Sequence, residues 1–246
     1  MNKIRLTRRN FLKTVSIGTV AAAMPAGLLA AGADRKPNII YILADDLGYG
    51  DLSCYGQEKF KTPNIDRLAV DGVKFTQHYS GSTVCAPARC TLMTGLHTGH
   101  AQVRGNKELK REGQAPMKPG TVAITTFLKK AHYACGMFGK WGLGGPGSDS
   151  DPMVFFDEFY GYNCQRSAHT FYPKSLWHNK EEVTLDGKTY SHDLIMKAAM
   201  DFIRKNKSKS FFCYMPVTIP HASMHAPKEL HDKYRKLYPQ FDKKIG

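Results

Sequence analysis

The stretch Asn38-Ile39-Ile40-Tyr41-Ile42-Leu43-Ala44 is a continuous apolar, β-branched run that stops abruptly at Asp45-Asp46. A run with no polar alternation reads as a strand buried on both faces of a parallel sheet. The pattern then changes period. Thr62 to Ala69 opens a short helix, with Thr62 as N-cap, Pro63 in the first turn and Gly72 as the stop. Val73 to Tyr79 predicts a second strand. Ala88 to Thr94 predicts a helix ending at Gly95, which puts Cys85 at or just before a helix N-terminus. A helix near Thr125 to His132, a strand near Ala134 to Gly139, a loop of Gly and Pro from Gly142 to Pro152, a helix near His192 to Lys205 and a buried strand at Phe211 to Val217 follow. Strands alternating with helices predict an α/β fold with a mostly parallel central sheet and helices on both faces, which collects ligands at the carboxyl ends of its strands. Asp45, Asp46, Lys140 and His221 all follow predicted strands, and the aromatic, irregular residues 160–190 read as an excursion over that end.

Composition narrows the class. A chain of 246 residues, 42% hydrophobic, is neither a disordered tail nor a small disulfide scaffold. Residues 1–33 read as a signal peptide: Lys3, Arg5, Arg8, Arg9 and Lys13 form a basic start without acids, an apolar stretch runs from Val15 to Ala31, and Ala31-Gly32-Ala33 is a small-x-small cleavage site. The alternative for this stretch is a membrane anchor, although Gly18, Pro25 and Gly27 make it weakly hydrophobic for a span. Thr7-Arg8-Arg9-Asn10-Phe11-Leu12-Lys13 resembles the twin-arginine export motif, which implies the twin-arginine machinery as a partner and the bacterial periplasm, or secretion, as the destination. Without those five charges the formal net charge falls from +14 to +9, a surface that steers anions. No basic helix with interleaved aromatics, finger spacing or Walker-type loop points to nucleic acid. The six cysteines are scattered, with no C-x-x-C and no zinc pattern.

Two kinds of residue can carry chemistry. Adjacent carboxylates at a buried strand end repel each other, so Asp45-Asp46 reads either as a solvated turn or cap, or as a pair held by Ca²⁺ or Mg²⁺ with further oxygen ligands from elsewhere. Cys85-Ala86-Pro87-Ala88-Arg89 sets a loop cysteine near a helix N-terminus with an arginine four residues on; the thiol is then electropositively placed and reactive, paired with Cys90, or buried. Lys140 and His221, taken alone, read as an ordinary surface lysine and a structural histidine.

Read together, these segments resemble the type I, formylglycine-dependent sulfatases of the alkaline-phosphatase-like superfamily. The resemblance runs in order through Pro37-Asn38-Ile39-Ile40, Asp45-Asp46-Leu47-Gly48-Tyr49-Gly50-Asp51, Thr62-Pro63-Asn64-Ile65-Asp66-Arg67-Leu68, and the C-x-P-x-R signature with Cys90-Thr91-Leu92-Met93-Thr94-Gly95. It continues in Gly139-Lys140-Trp141-Gly142-Leu143-Gly144 and Ile219-Pro220-His221. It implies that Asp45 and Asp46 bind Ca²⁺, that a maturation enzyme converts Cys85 to formylglycine, and that Arg89 holds this nucleophile near the metal. It further implies that Lys140 contacts a sulfate oxygen, and that His221 contacts the sulfate or protonates the leaving oxygen. The implied substrate is a sulfate ester, small or carbohydrate, with a sulfated sugar favoured. Gly142 stands where many members carry histidine, and Ala88 where serine is frequent.

The family supplies a later Asp-Asn pair and a further lysine, and no credible second Asp-Asn occurs after His221. Residues 34–246 are therefore expected to be the N-terminal part of a sulfatase catalytic domain, with an incomplete calcium shell and inactive alone. The alternatives are a phosphodiesterase or phosphonate hydrolase of the same superfamily, and a non-catalytic binding protein.

Overall fold

The structure, a computed structural model, describes residues 36–109 and 113–240; the expected signal peptide of residues 1–33 lies outside them. Strand β1 is Ile39–Asp45. Helix α1, Pro63–Asp71, has proline in its first turn and Gly72 as its C-cap. Helix α2 is Cys85–Thr94 and ends on Gly95 in the left-handed conformation. Then come α3 (Ile124–Lys130), β2 (Ala134–Lys140) and the single turn α4 (Pro152–Phe155). Strands β3 (Glu158–Tyr162), β4 (Ser175–His178) and β5 (Glu181–Thr184) follow. The described chain closes with α5 (Ser191–Asn206), β6 (Phe211–Pro220) and α6 (Lys228–Leu237).

The six strands lie in the order β1-β6-β2-β3-β4-β5. The pairs β1/β6, β6/β2 and β2/β3 are parallel, while β3/β4 and β4/β5 are antiparallel. The period-2 alternation of β2 and β6 divides their side chains between two cores. Cys135, Met137, Phe212 and Tyr214 pack with Ala86, Cys90 and Met93 of α2 on one face. Phe138, Phe211, Cys213 and Met215 pack with Ile195, Ala199 and Phe202 of α5 on the other. The expected helices on both faces are present.

Three expectations need correction. Residues 73–79 form no strand; Val73, Phe75 and Tyr79 are exposed, so β-propensity there finds no sheet to join. The segment 160–190 is not irregular throughout, because it supplies β3, β4 and β5, and its antiparallel pairs end the parallel part of the sheet. β1 is not buried on both faces: Ile39, Tyr41 and Leu43 reach the first core, whereas Ile40 and Ile42 are 50% and 60% exposed. Among the described residues β1 is an edge strand, and α5 packs on β2, β3 and β6.

Candidate active site

Strand ends and one helix start meet at the carboxyl edge of the sheet. The ladder between β1 and β6 is regular up to Ala44 opposite Val217, then slips so that Asp45 stands opposite Pro220. Such an irregularity re-aims a side chain. It brings the end of β1 beside the residue before His221. On β2, Gly139 lies opposite Gly161 of β3, and a Cβ on it would fall 2.1 Å from the Pro216 carbonyl oxygen. Glycine thus lets three strands close up immediately before Lys140.

Lys140 is fully buried, correcting its reading as a surface lysine. Its Nζ donates to Asp45 Oδ2 at 2.6 Å. Arg89, 2% exposed, brings Nη2 to 3.6 Å from Asp45 Oδ1 and donates through Nη1 to the Lys140 carbonyl oxygen at 2.6 Å. One carboxylate therefore stands against two cations, and the remaining positive charge favours an anion. The Arg89 Nε has no hydrogen-bond partner among the described residues. Tyr214 lies in this neighbourhood, and burial pushes its phenol up to about 12, so it stays neutral.

Asp46 adopts the left-handed conformation with φ 61°, a sparsely populated region for a residue with a Cβ. Its Oδ2 lies 3.4 Å from His221 Nε2. The other His221 ring nitrogen contacts the Ala222 carbonyl oxygen.

α2 begins at Cys85 rather than at Ala88, so the thiol sits on the first helical residue. Cys85 and Cys90 are both free, and Cys90 is buried in the core, which removes the reading of a disulfide between them. Asn106 braces this helix start: its Nδ2 donates to Cys85 Sγ at 3.4 Å and its Oδ1 accepts from the Ala86 N–H at 3.1 Å. A cavity of about 300 Å³ opens between β1 and α2, lined among others by Asp45, Asp46, Ser82, Thr83, Cys85 and Arg89. Lys140 and His221 adjoin it through Asp45 and Asp46 rather than lining it.

The sequence reading missed three residues. Asn106 lies in a loop with no motif around it. His169, on a single 3₁₀ turn at Ser167–His169, stacks on His221 with centroids 4.8 Å apart and planes 15° from parallel. Desolvation first, then electrostatic repulsion from Lys140 and from the neighbouring His221 ring, hold its imidazole below the usual range. Gln165 fills the place a side chain at position 142 would take: a Cβ on Gly142, whose φ is +75°, would lie 1.7 Å from Gln165 Nε2. Only the hint of an excursion at 160–190 pointed to these last two.

Calcium takes about six to eight oxygen ligands. Among the described residues no group of three or more His, Cys, Asp or Glu side chains is arranged to hold a metal. Both oxygens of Asp45 already face cations. The described residues offer two carboxylates but do not by themselves make a calcium site.

A mostly parallel α/β sheet with an acidic pair, a C-x-P-x-R helix start and a buried lysine at its carboxyl edge is the arrangement of a sulfatase. The sulfatase family matches residues 37–244, and the chain belongs to it. N-acetylgalactosamine-6-sulfatase of Rattus norvegicus is 31% identical over 248 residues, 89% of this chain and 47% of that protein. N-acetylgalactosamine-6-O-sulfatase of Bacteroides thetaiotaomicron is 48% identical over 124 residues, 48% of this chain and 23% of that protein. The crystal structure of Ps i-CgsB in complex with k-i-k-neocarrahexaose superposes with a TM-score of 0.72 at 29% identity, covering 82% of this chain and 49% of that one. The chain thus spans about half the length of the curated relatives it matches.

Proposed function

We propose that the protein is a sulfuric ester hydrolase acting on sulfated carbohydrates, with Cys85, matured to formylglycine, as its nucleophile. One observation carries this reading. Cys85 and Arg89, one helical turn apart on α2, open on the same cavity as Asp45 and Asp46. Formylglycine as its hydrate supplies two hydroxyls on one carbon, one to take the sulfuryl group and one to release it.

The chain's own residues supply the rest. Asn106 holds the position 85 side chain at the helix start. Arg89, fixed by Asp45 and the Lys140 carbonyl, presents a preorganised guanidinium to the charge of the ester, and Lys140 holds the Asp45 carboxylate in place by donating to its Oδ2. His221 would give a proton from Nε2 to the departing sugar oxygen. Asp45 and Asp46 would offer two carboxylates to a divalent cation whose remaining ligands are not among the described residues.

Relatives named as N-acetylgalactosamine-6-sulfatases, and a structural neighbour holding k-i-k-neocarrahexaose, support a carbohydrate ester as substrate. The reading requires a formylglycine-generating maturation enzyme as a partner. The sequence of residues 1–33 favours export to the periplasm by the twin-arginine route.

The test is to co-express the full-length protein with a formylglycine-generating enzyme, weigh the tryptic peptide Phe75–Arg89, and compare sulfate release from galactose 6-sulfate with alcohol release from a phosphodiester. An aldehyde-mass peptide with sulfate release is expected. A thiol-mass peptide, or preference for the diester, overturns the reading.

A further inference from the structure

His221 is gripped on three sides. Asp46 meets Nε2 at 3.4 Å and the Ala222 carbonyl meets Nδ1, which fixes rotation of the ring within its plane. Neither contact fixes its tilt. The ring face is covered by His169, nearly parallel at a centroid distance of 4.8 Å. His169 is itself tied to the turn that carries His221, because Ser223 Oγ donates to the His169 carbonyl oxygen at 2.7 Å. Two residues further along each segment the lacing repeats: the Phe171 N–H donates to His225 Nδ1 at 3.4 Å, and the two rings meet edge to face. The segment after β3 and the segment after β6 are thus stitched side by side, and the two imidazoles are the stitch nearest the cavity.

We propose that His169 is a positioning residue that sets the tilt of the His221 ring for proton donation to the leaving oxygen. The proposal rests on the sulfatase reading and on the role given there to His221. Its physical content is orientation. A small angular error at a proton donor lengthens its hydrogen bond in the transition state, and a misplacement of about 1 Å costs about 10²-fold. His169 is an exposed residue outside both hydrophobic cores, so removing its side chain leaves no core cavity.

The test uses the full-length, matured protein and two esters: galactose 6-sulfate, whose alkoxide must be protonated, and 4-nitrophenyl sulfate, whose phenolate leaves unaided. His169→Ala should lower kcat on galactose 6-sulfate by about 10-fold to 10²-fold with KM unchanged, and should spare 4-nitrophenyl sulfate. In a His221→Ala background, His169→Ala should cost nothing further. His169→Phe, which keeps a flat ring for stacking, should recover most of the lost kcat. A rise in KM, an equal loss on both esters, an additive loss in the His221→Ala background, or a failure of phenylalanine to rescue overturns the proposal. A wild type that releases sulfate from neither ester removes the sulfatase reading, and the proposal with it.

Discussion

Lys140 Nζ and Asp45 Oδ2 meet at 2.6 Å across 95 residues of sequence, with the lysine fully buried and the aspartate 7% exposed. The pair ties the end of β2 to the end of β1, with β6 between them, and fixes the floor of the candidate site. Removing one member of a buried pair leaves an uncompensated charge, which costs about 3–5 kcal/mol, whereas replacing both with apolar groups is close to neutral. Lys140→Met should therefore destabilise the protein strongly, with Arg89 at 3.6 Å offsetting part of the loss. Asp45→Leu with Lys140→Met should cost less than the sum of the singles. Urea denaturation of the four proteins measures the coupling, and strict additivity would refute it.

Gly142 and Gln165 should be coupled in stability. Gly142→Ala forces a Cβ onto the Gln165 amide at a φ of +75°, so both steric overlap and left-handed strain act. The strain alone is worth about 1–2 kcal/mol, and overpacking adds about 1–3. In a Gln165→Ala background the clash is gone and only the strain remains. Equal losses in the two backgrounds, read from thermal unfolding, would show that Gln165 moves aside at no cost.

Acidification should act through His192. Burial holds its imidazole below the ordinary 6.5, and its Nδ1 has no hydrogen-bond partner among the described residues. Below the unfolded value the unfolded chain takes up a proton that the folded chain refuses, so stability falls with pH from about 6.5 down to the folded value. His192→Gln removes that titration. Urea midpoints at pH 7.5 and pH 5 should lie closer together for the variant than for the wild type.

Cys85 should be indispensable and His221 only helpful. Cys85→Ala should abolish sulfate release, while His221→Ala should retain a trace, since loss of general-acid help typically costs about 10²–10⁴-fold. Cys85→Ser offers a single hydroxyl unless a maturation enzyme accepts serine. It should then trap the sulfuryl group after one turnover, visible by mass as a sulfated Phe75–Arg89 peptide. Steady turnover by Cys85→Ala would contradict the nucleophile assignment.

The sequence by itself determined the class. Apolar runs at Ile39 and Phe211, the proline and glycine that bracket Pro63–Asp71, and the ordered segments around Cys85, Lys140 and His221 are local signals, because backbone propensity, capping and burial periodicity act over a few residues. Tertiary structure decided what those residues meet. No local pattern says that Lys140 points into the core at Asp45, since the contact spans 95 residues and depends on sheet order and a ladder slip after Ala44. The same holds for Ile40 and Ile42, apolar in sequence yet exposed because, among the described residues, β1 is an edge strand that α5 does not cover, and for Val73 to Tyr79, a strand-like run that no described strand takes up. Asn106, Gln165 and His169 carry no motif because each acts on a residue brought to it by another element: Cys85 by α2, Gly142 by the turn after β2, His221 by the end of β6. Chain-local energies choose the elements, whereas the pairing of distant charges and rings is fixed only when the sheet closes.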